Sequence, residues 1–234
     1  MAKRWEAQVD VEPVLRTTVQ EQVYLRVKDL ILSGNVKPGQ PVTIPALSET
    51  LGVSHMPVRE ALRRLVAERA LTVVSGRSLG VPALSLKRLD ELVRVRVEIE
   101  GFAAEWAAEN MAPEELDGSA ALVAGMAEAI GQSDVTAFLR MNRDFHFGIY
   151  AATRSPVLLS TIESLWFQVS PYFSMLYPFG DYPRSNLEHA AILAALQRRD
   201  GRAARAALGE DLRGAASALR MALAQSAGTV DRQP

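Results

Sequence analysis

Residues 51–62 read Leu51-Gly52-Val53-Ser54-His55-Met56-Pro57-Val58-Arg59-Glu60-Ala61-Leu62, and this stretch decides the fold of the first third of the chain. Gly52 offers a tight turn the positive φ that a Cβ would oppose. Ser54 is placed to cap a helix, and Pro57 falls in its first turn, where a missing amide hydrogen costs no intrahelical bond. Val58, Ala61, Leu62 and Leu65 recur at helical spacing and turn inward, which leaves His55, Met56, Arg59, Glu60 and Arg63 on the outer side. A short helix through Leu47 and Leu51 precedes the glycine. The pattern predicts a helix-turn-helix whose second helix carries a basic outer face.

Working outward, Val19, Val23, Val27, Leu30 and Ile31 form one buried stripe of an earlier helix that Gly34 ends. Lys37-Pro38-Gly39-Gln40-Pro41 is a turn, and Val42-Thr43-Ile44 is a short β-prone run. On the other side, residues 71–74 and 79–81 read as two strands around the polar tip Ser75-Gly76-Arg77-Ser78. Helix, helix-turn-helix and hairpin wing follow one another in order.

The chain has 234 residues, enough for two cores, and no cysteine, which excludes disulfides and thiolate metal sites. Its N-terminus is charged and no later stretch approaches a membrane span, so a cytoplasmic protein without a membrane partner is expected. The formal net charge of −1 hides an asymmetry: residues 1–84 hold 11 Lys and Arg against 8 Asp and Glu. That excess is modest and fits an ordinary solvated surface equally well.

Residues 17–82 resemble the DNA-binding domain of the GntR family of bacterial regulators. The likeness rests on Ile31-Leu32-Ser33-Gly34, Lys37-Pro38-Gly39, Leu51-Gly52-Val53-Ser54, Pro57-Val58-Arg59-Glu60-Ala61-Leu62 and Gly80-Val81. It implies a homodimer on a palindromic double-stranded DNA operator, with each third helix in a major groove and each wing tip toward a minor groove. The residues expected at DNA are Ser54, His55, Met56, Arg59, Arg63 and Arg77. The sequence departs from the family at His55 and at Pro45, where basic residues are frequent, so the resemblance does not carry over an operator sequence.

Beyond a linker at 83–85 the composition is helical throughout. Six helices are expected, at 86–110, 113–131, 134–153, 156–176 with a bend at Pro171, 184–199 and 201–227, arranged as an antiparallel bundle. The expected organisation is therefore a mainly α protein. It has an N-terminal tail at 1–16, a winged helix-turn-helix at 17–82, an all-helical domain at 86–227 and a C-terminal tail at 228–234.

Asn142 and His146 are four apart on one helix face, and His189 and Asp211 lie on the fifth and sixth helices of the bundle. Imidazole nitrogens and carboxylate oxygens ligate zinc and similar divalent ions, and bundle cores house such sites. The competing reading is a hydrogen-bonded core network. Arg96 offers a fork of donors that suits a carboxylate, against an exposed helical ion pair with Glu100. Aromatics such as Tyr150, Trp166 and Tyr172 read as core or cavity wall.

The second half resembles the FCD effector domain of the FadR subfamily, on Arg96-Val97-Glu98-Ile99-Glu100, Asn142-Arg143-Asp144-Phe145-His146, Ser155-Pro156 and His189-Ala190-Ala191-Ile192-Leu193. The resemblance implies a divalent ion, zinc first, on Asn142, His146, His189 and Asp211. Asp211 stands where a third His is usual. It also places Arg96 beside the metal cavity, with Tyr150 and Trp166, as binders of a small organic acid. The function implied is an effector-controlled transcriptional repressor. The alternative is a metal-dependent enzyme or metal-binding helical protein with an attached DNA-binding domain. An enzyme would need a general base and an open metal position, yet the sequence has neither a His-Glu-x-x-His motif nor a nucleophile elbow.

Overall fold

The structure is a computed structural model that describes residues 18–76, 78–176 and 181–230, without side-chain detail for Ser174 and residues 226–230. The tail expected at 1–16, the start of the first domain at Thr17, the wing-tip Arg77, the break at 177–180 and the last four residues lie outside the described residues.

Helix α1 (Val19–Leu32) opens on Thr18, whose hydroxyl accepts from the Glu21 amide, and buries Val23, Tyr24, Val27 and Ile31. The second helix, α2 (Ile44–Leu51), stops at Gly52 in the left-handed conformation, φ 65°. Helix α3 (His55–Ala67) crosses α1 and α2 and buries Val58, Ala61, Leu62 and Leu65, as the spacing predicts. Ser54 holds the N-cap position of α3, but its hydroxyl makes no capping bond, contrary to expectation. Strands β1 (Thr72–Ser75) and β2 (Ser78–Gly80) pair antiparallel, and Val42 bridges to Leu79. Gly80 is required there, because a Cβ would lie 2.8 Å from the Gln40 carbonyl oxygen.

The bundle comprises α4 (Leu86–Asn110), α5 (Pro113–Gly131), α6 (Val135–Ala152), α7 (Pro156–Trp166), α8 (Tyr182–Gln197) and α9 (Gly201–Val230). Ser85, Asp134, Ser155 and Asp181 cap α4, α6, α7 and α8 through their side chains. Helix α4 lies along α9, and glycines permit the close approach: a Cβ on Gly101 would lie 3.0 Å from Arg205 and one on Gly201 2.9 Å from the Glu105 carbonyl oxygen. Helix α8 packs on α9, and α5 on α6 and α8.

Three expectations are corrected. The fourth bundle helix is not one bent rod: α7 ends at Trp166, and Pro171 sits inside a separate 3₁₀ helix, Ser170–Leu176. That tighter geometry accepts a proline in a short segment. Helix α8 begins two residues early because Asp181 caps it and Pro183 fits its first turn. Helix α9 continues to Val230, into the stretch expected as tail.

The two domains share side-chain contacts. Lys28 on α1 meets Glu163 on α7 at 2.6 Å, and Asp29 meets Arg143 on α6 at 2.7 Å. Ser164 reaches the Glu68 carbonyl, and the Tyr172 hydroxyl donates to the Pro82 carbonyl at 2.7 Å. Among the described residues, no helix is long and apolar enough to cross a membrane.

Candidate functional site

Two surfaces carry chemistry. The first is the outer face of α3, where Ser54, His55, Met56, Arg59 and Arg63 are all exposed and Met56 is 61% accessible. Arg63 pairs with Glu60 one turn back. An exposed pair of this kind is worth little and yields readily to a phosphate.

The second is a cavity of about 430 Å³ inside the bundle, of a size that suits a small organic ligand. Arg96 on α4, Asn142 and His146 on α6, Trp166 on α7 and Asp211 on α9 all line it. His189 on α8 stands immediately behind. The Nε2 atom of His146 is 3.2 Å from Asp211 Oδ2, and that of His189 is 3.4 Å from Asp211 Oδ1. One ligand atom from each of the three residues lies within 4.8 Å of the others, and all three residues are buried. The Ser185 hydroxyl adds a contact to Asp211 Oδ1 at 3.3 Å. Burial alone would push the Asp211 carboxyl pKa up, but the two imidazoles outweigh it and hold that pKa well below the ordinary carboxylate range.

Arg96 and Glu100 pair, but not at the surface as a helical ion pair would: Arg96 is 4% accessible and Glu100 is fully enclosed. Glu100 takes Arg96 Nε and Nη2, the Trp166 indole nitrogen at 3.0 Å and the Tyr150 hydroxyl. Tyr150, with its oxygen 3.1 Å from His146 Nδ1, is buried and does not line the cavity. Burial first, and the charge of Glu100 second, hold its phenol pKa well above the ordinary value. The guanidinium of Arg96 lies over Trp166, 5.2 Å from the ring centroid. Glu100 takes one edge of the Arg96 guanidinium, Nε and one Nη2 hydrogen, which leaves the Nη1 hydrogens and the second Nη2 hydrogen on the other edge for a carboxylate.

Residues 19–81 match the family described as bacterial regulatory proteins, gntR family, and residues 91–214 match the FCD domain. The chain belongs to the GntR family.

This GntR regulator is 35% identical to the HTH-type transcriptional regulator McbR of Escherichia coli (strain K12) over 193 residues, covering 81% of this chain and 87% of McbR. It is 26% identical to the HTH-type transcriptional repressor RspR of the same organism over 205 residues, covering 86% and 90%. The solved structure of E. coli McbR/YncC superposes with a TM-score of 0.82 at 31% identity, over 88% of this chain and 99% of that one. A metal-free FCD domain, TM0439, shares the fold alone, at 19% identity and a TM-score of 0.52, over 62% of this chain and 99% of that one. The winged helix-turn-helix of this GntR protein binds DNA, and the chain is a transcriptional regulator rather than an enzyme.

The donor set of this FCD domain fits a divalent ion. Both ring nitrogens of His189 are buried and neither makes a well-aligned hydrogen bond, the 3.4 Å approach of Nε2 to Asp211 included, an expensive arrangement unless a further group meets one of them. Two nitrogens and a carboxylate oxygen, with Asn142 on the adjoining wall, suit zinc or a similar ion.

Sequence reasoning overlooked Glu100 as the hub of the site. The signal was present: Arg96 and Glu100 continue the stripe Leu89, Val93, Ala103 and Ala107, which is the buried face of α4.

Proposed function

We propose that this regulator is a cytoplasmic homodimeric repressor whose grip on a palindromic operator changes when a small organic acid enters the bundle cavity. The observation that carries this reading is the cavity itself: a space of about 430 Å³ whose wall brings Arg96, Asn142, His146 and Asp211 together from three helices. A pure architectural DNA binder has no need of such a cavity.

In this reading His146, His189 and Asp211, with Asn142, hold a divalent ion. The ion would supply positive charge and open coordination positions for a carboxylate. Arg96 offers its remaining Nη1 and Nη2 hydrogens, and Trp166 and Phe138 give an apolar wall. On the DNA side, Arg59 and Arg63 face the major groove from α3, with Ser54, His55 and Met56 at its N-terminal end and Arg77 at the wing.

A second copy of the chain is expected on α4. Val95, Phe102 and Trp106, with Ile99 between them, form one exposed stripe at helical spacing, and Phe102 is 47% accessible. Such a contiguous stripe is costly in water. Pairing through a two-fold axis covers it and sets two recognition helices on two half-sites.

A thermal-shift screen of sugar acids, hydroxy acids and dicarboxylates tests the reading, with every stabilising acid retested on operator binding. The expected result is an acid that both raises Tm and changes operator affinity. An acid set that leaves both unchanged, with the protein loaded with zinc, would contradict it.

A further inference from the structure

We propose that Glu100 and Tyr150 are positioning residues that lock the proton of His146 on Nδ1 and so keep its Nε2 lone pair facing Asp211. This rests on the metal reading above.

Every partner of Glu100 is a donor: the Arg96 guanidinium and the Trp166 indole have hydrogens to give and no lone pair to receive with. The carboxylate is therefore the acceptor throughout, and the single hydroxyl hydrogen of Tyr150 points to it across 2.5 Å. That leaves the phenol oxygen only lone pairs to offer on its other side, where His146 Nδ1 lies 3.1 Å away. Nδ1 must then carry a hydrogen. In a neutral imidazole the other nitrogen has none, so Nε2 presents a lone pair to Asp211 Oδ2 at 3.2 Å.

Two acceptors at that separation repel unless something positive stands between them. Nothing fixes the His189 tautomer in the same way: its Nε2 is 3.4 Å from the other Asp211 oxygen, and neither of its ring nitrogens makes a well-aligned hydrogen bond. His146 Nε2 and the Asp211 carboxylate thus face each other as acceptors, with His189 beside them, and a proton or a cation between them satisfies both. Because Glu100 is on α4, Trp166 on α7 and Tyr150 on α6, the tautomer is fixed by helix packing before any ligand arrives. A histidine so oriented binds an ion without first moving its hydrogen.

The test uses the full chain, stripped with a chelator and held at pH 8. Nitrogen-15 NMR of the three histidines, with His146 assigned by the loss of its signals in His146→Ala, reads the tautomer directly. The expected wild-type result is Nδ1–H. Tyr150→Phe keeps the ring and its packing but removes the acceptor. It should shift His146 toward Nε2–H and lower Zn²⁺ affinity by roughly 10–100-fold in a competition titration. Glu100→Gln, which frees the Tyr150 hydrogen to turn toward His146, should move the tautomer the same way. An Nε2–H tautomer in wild type, or Tyr150→Phe with wild-type Zn²⁺ affinity, would overturn the proposal. A wild type that takes up no Zn²⁺ overturns the metal reading and this proposal with it, a result distinguishable because the variant then plays no part.

Discussion

The Lys28 ammonium lies 2.6 Å from the Glu163 carboxylate, joining the first helix of the DNA-binding domain to the helix whose last residue, Trp166, walls the cavity. A second pair repeats the design: Arg143, which binds Asp29, is the neighbour of cavity-lining Asn142. The elements that line the cavity are thus the elements that hold α1. In the proposed function, a ligand that displaces α7 acts on the first contact and one that displaces α6 on the second.

The Lys28–Glu163 pair is largely shielded, at 17% and 22% side-chain exposure, so it should outweigh a surface pair. A double-mutant cycle of Lys28→Met and Glu163→Gln, read by urea unfolding, is expected to give a coupling of about 1–2 kcal/mol. A value near zero would mean the domains are held by their apolar contacts alone.

Arg59→Ala is expected to weaken specific operator binding by about 1–3 kcal/mol while Tm stays the same, since the side chain is exposed and contributes nothing to the core. Fluorescence anisotropy at fixed salt measures this. Unchanged affinity would remove Arg59 from the recognition surface.

Phe102→Glu places a charge in the middle of the exposed α4 stripe. Light scattering at micromolar concentration should show a dimer for wild type and a monomer for the variant, with the variant's operator affinity reduced because each subunit then meets a single half-site. A variant that remains dimeric would move the interface elsewhere.

Asp211 has a folded pKa below its unfolded value of about 3.9, so in the chelator-stripped protein it contributes stability that is fully present above about pH 4. That contribution is lost as pH falls toward the folded value. Asp211→Asn should therefore be less stable than wild type at pH 6, with the gap closing toward pH 3 in chemical denaturation. A gap that stays constant with pH would show that the carboxylate charge is not what holds the two imidazoles.

Much of this was legible in the chain itself. The inward stripe of α3 and the Gly52 turn are local signals that survive folding, whereas the capping bond expected of Ser54 does not form. The convergence of His146, His189 and Asp211 was read from helix order and a family likeness. The role of Glu100 was not, because Arg96 and Glu100 at i and i+4 look the same on paper whether the helix face is wet or dry. The break after Trp166 was missed for a similar reason: the apolar spacing continues across it, and only tertiary packing decides between a bent helix and a 3₁₀ turn.

An acid bound in the FCD cavity is proposed to control DNA binding, and operator affinity measured by anisotropy at fixed salt puts that to the test. Wild type and His146→Ala/His189→Ala are compared, each with and without a stabilising acid from the thermal-shift screen. The acid is expected to change wild-type affinity by roughly fivefold or more. The double variant should hold the operator as acid-free wild type does and ignore the acid. An equal response in the double variant, or none in wild type, would contradict it.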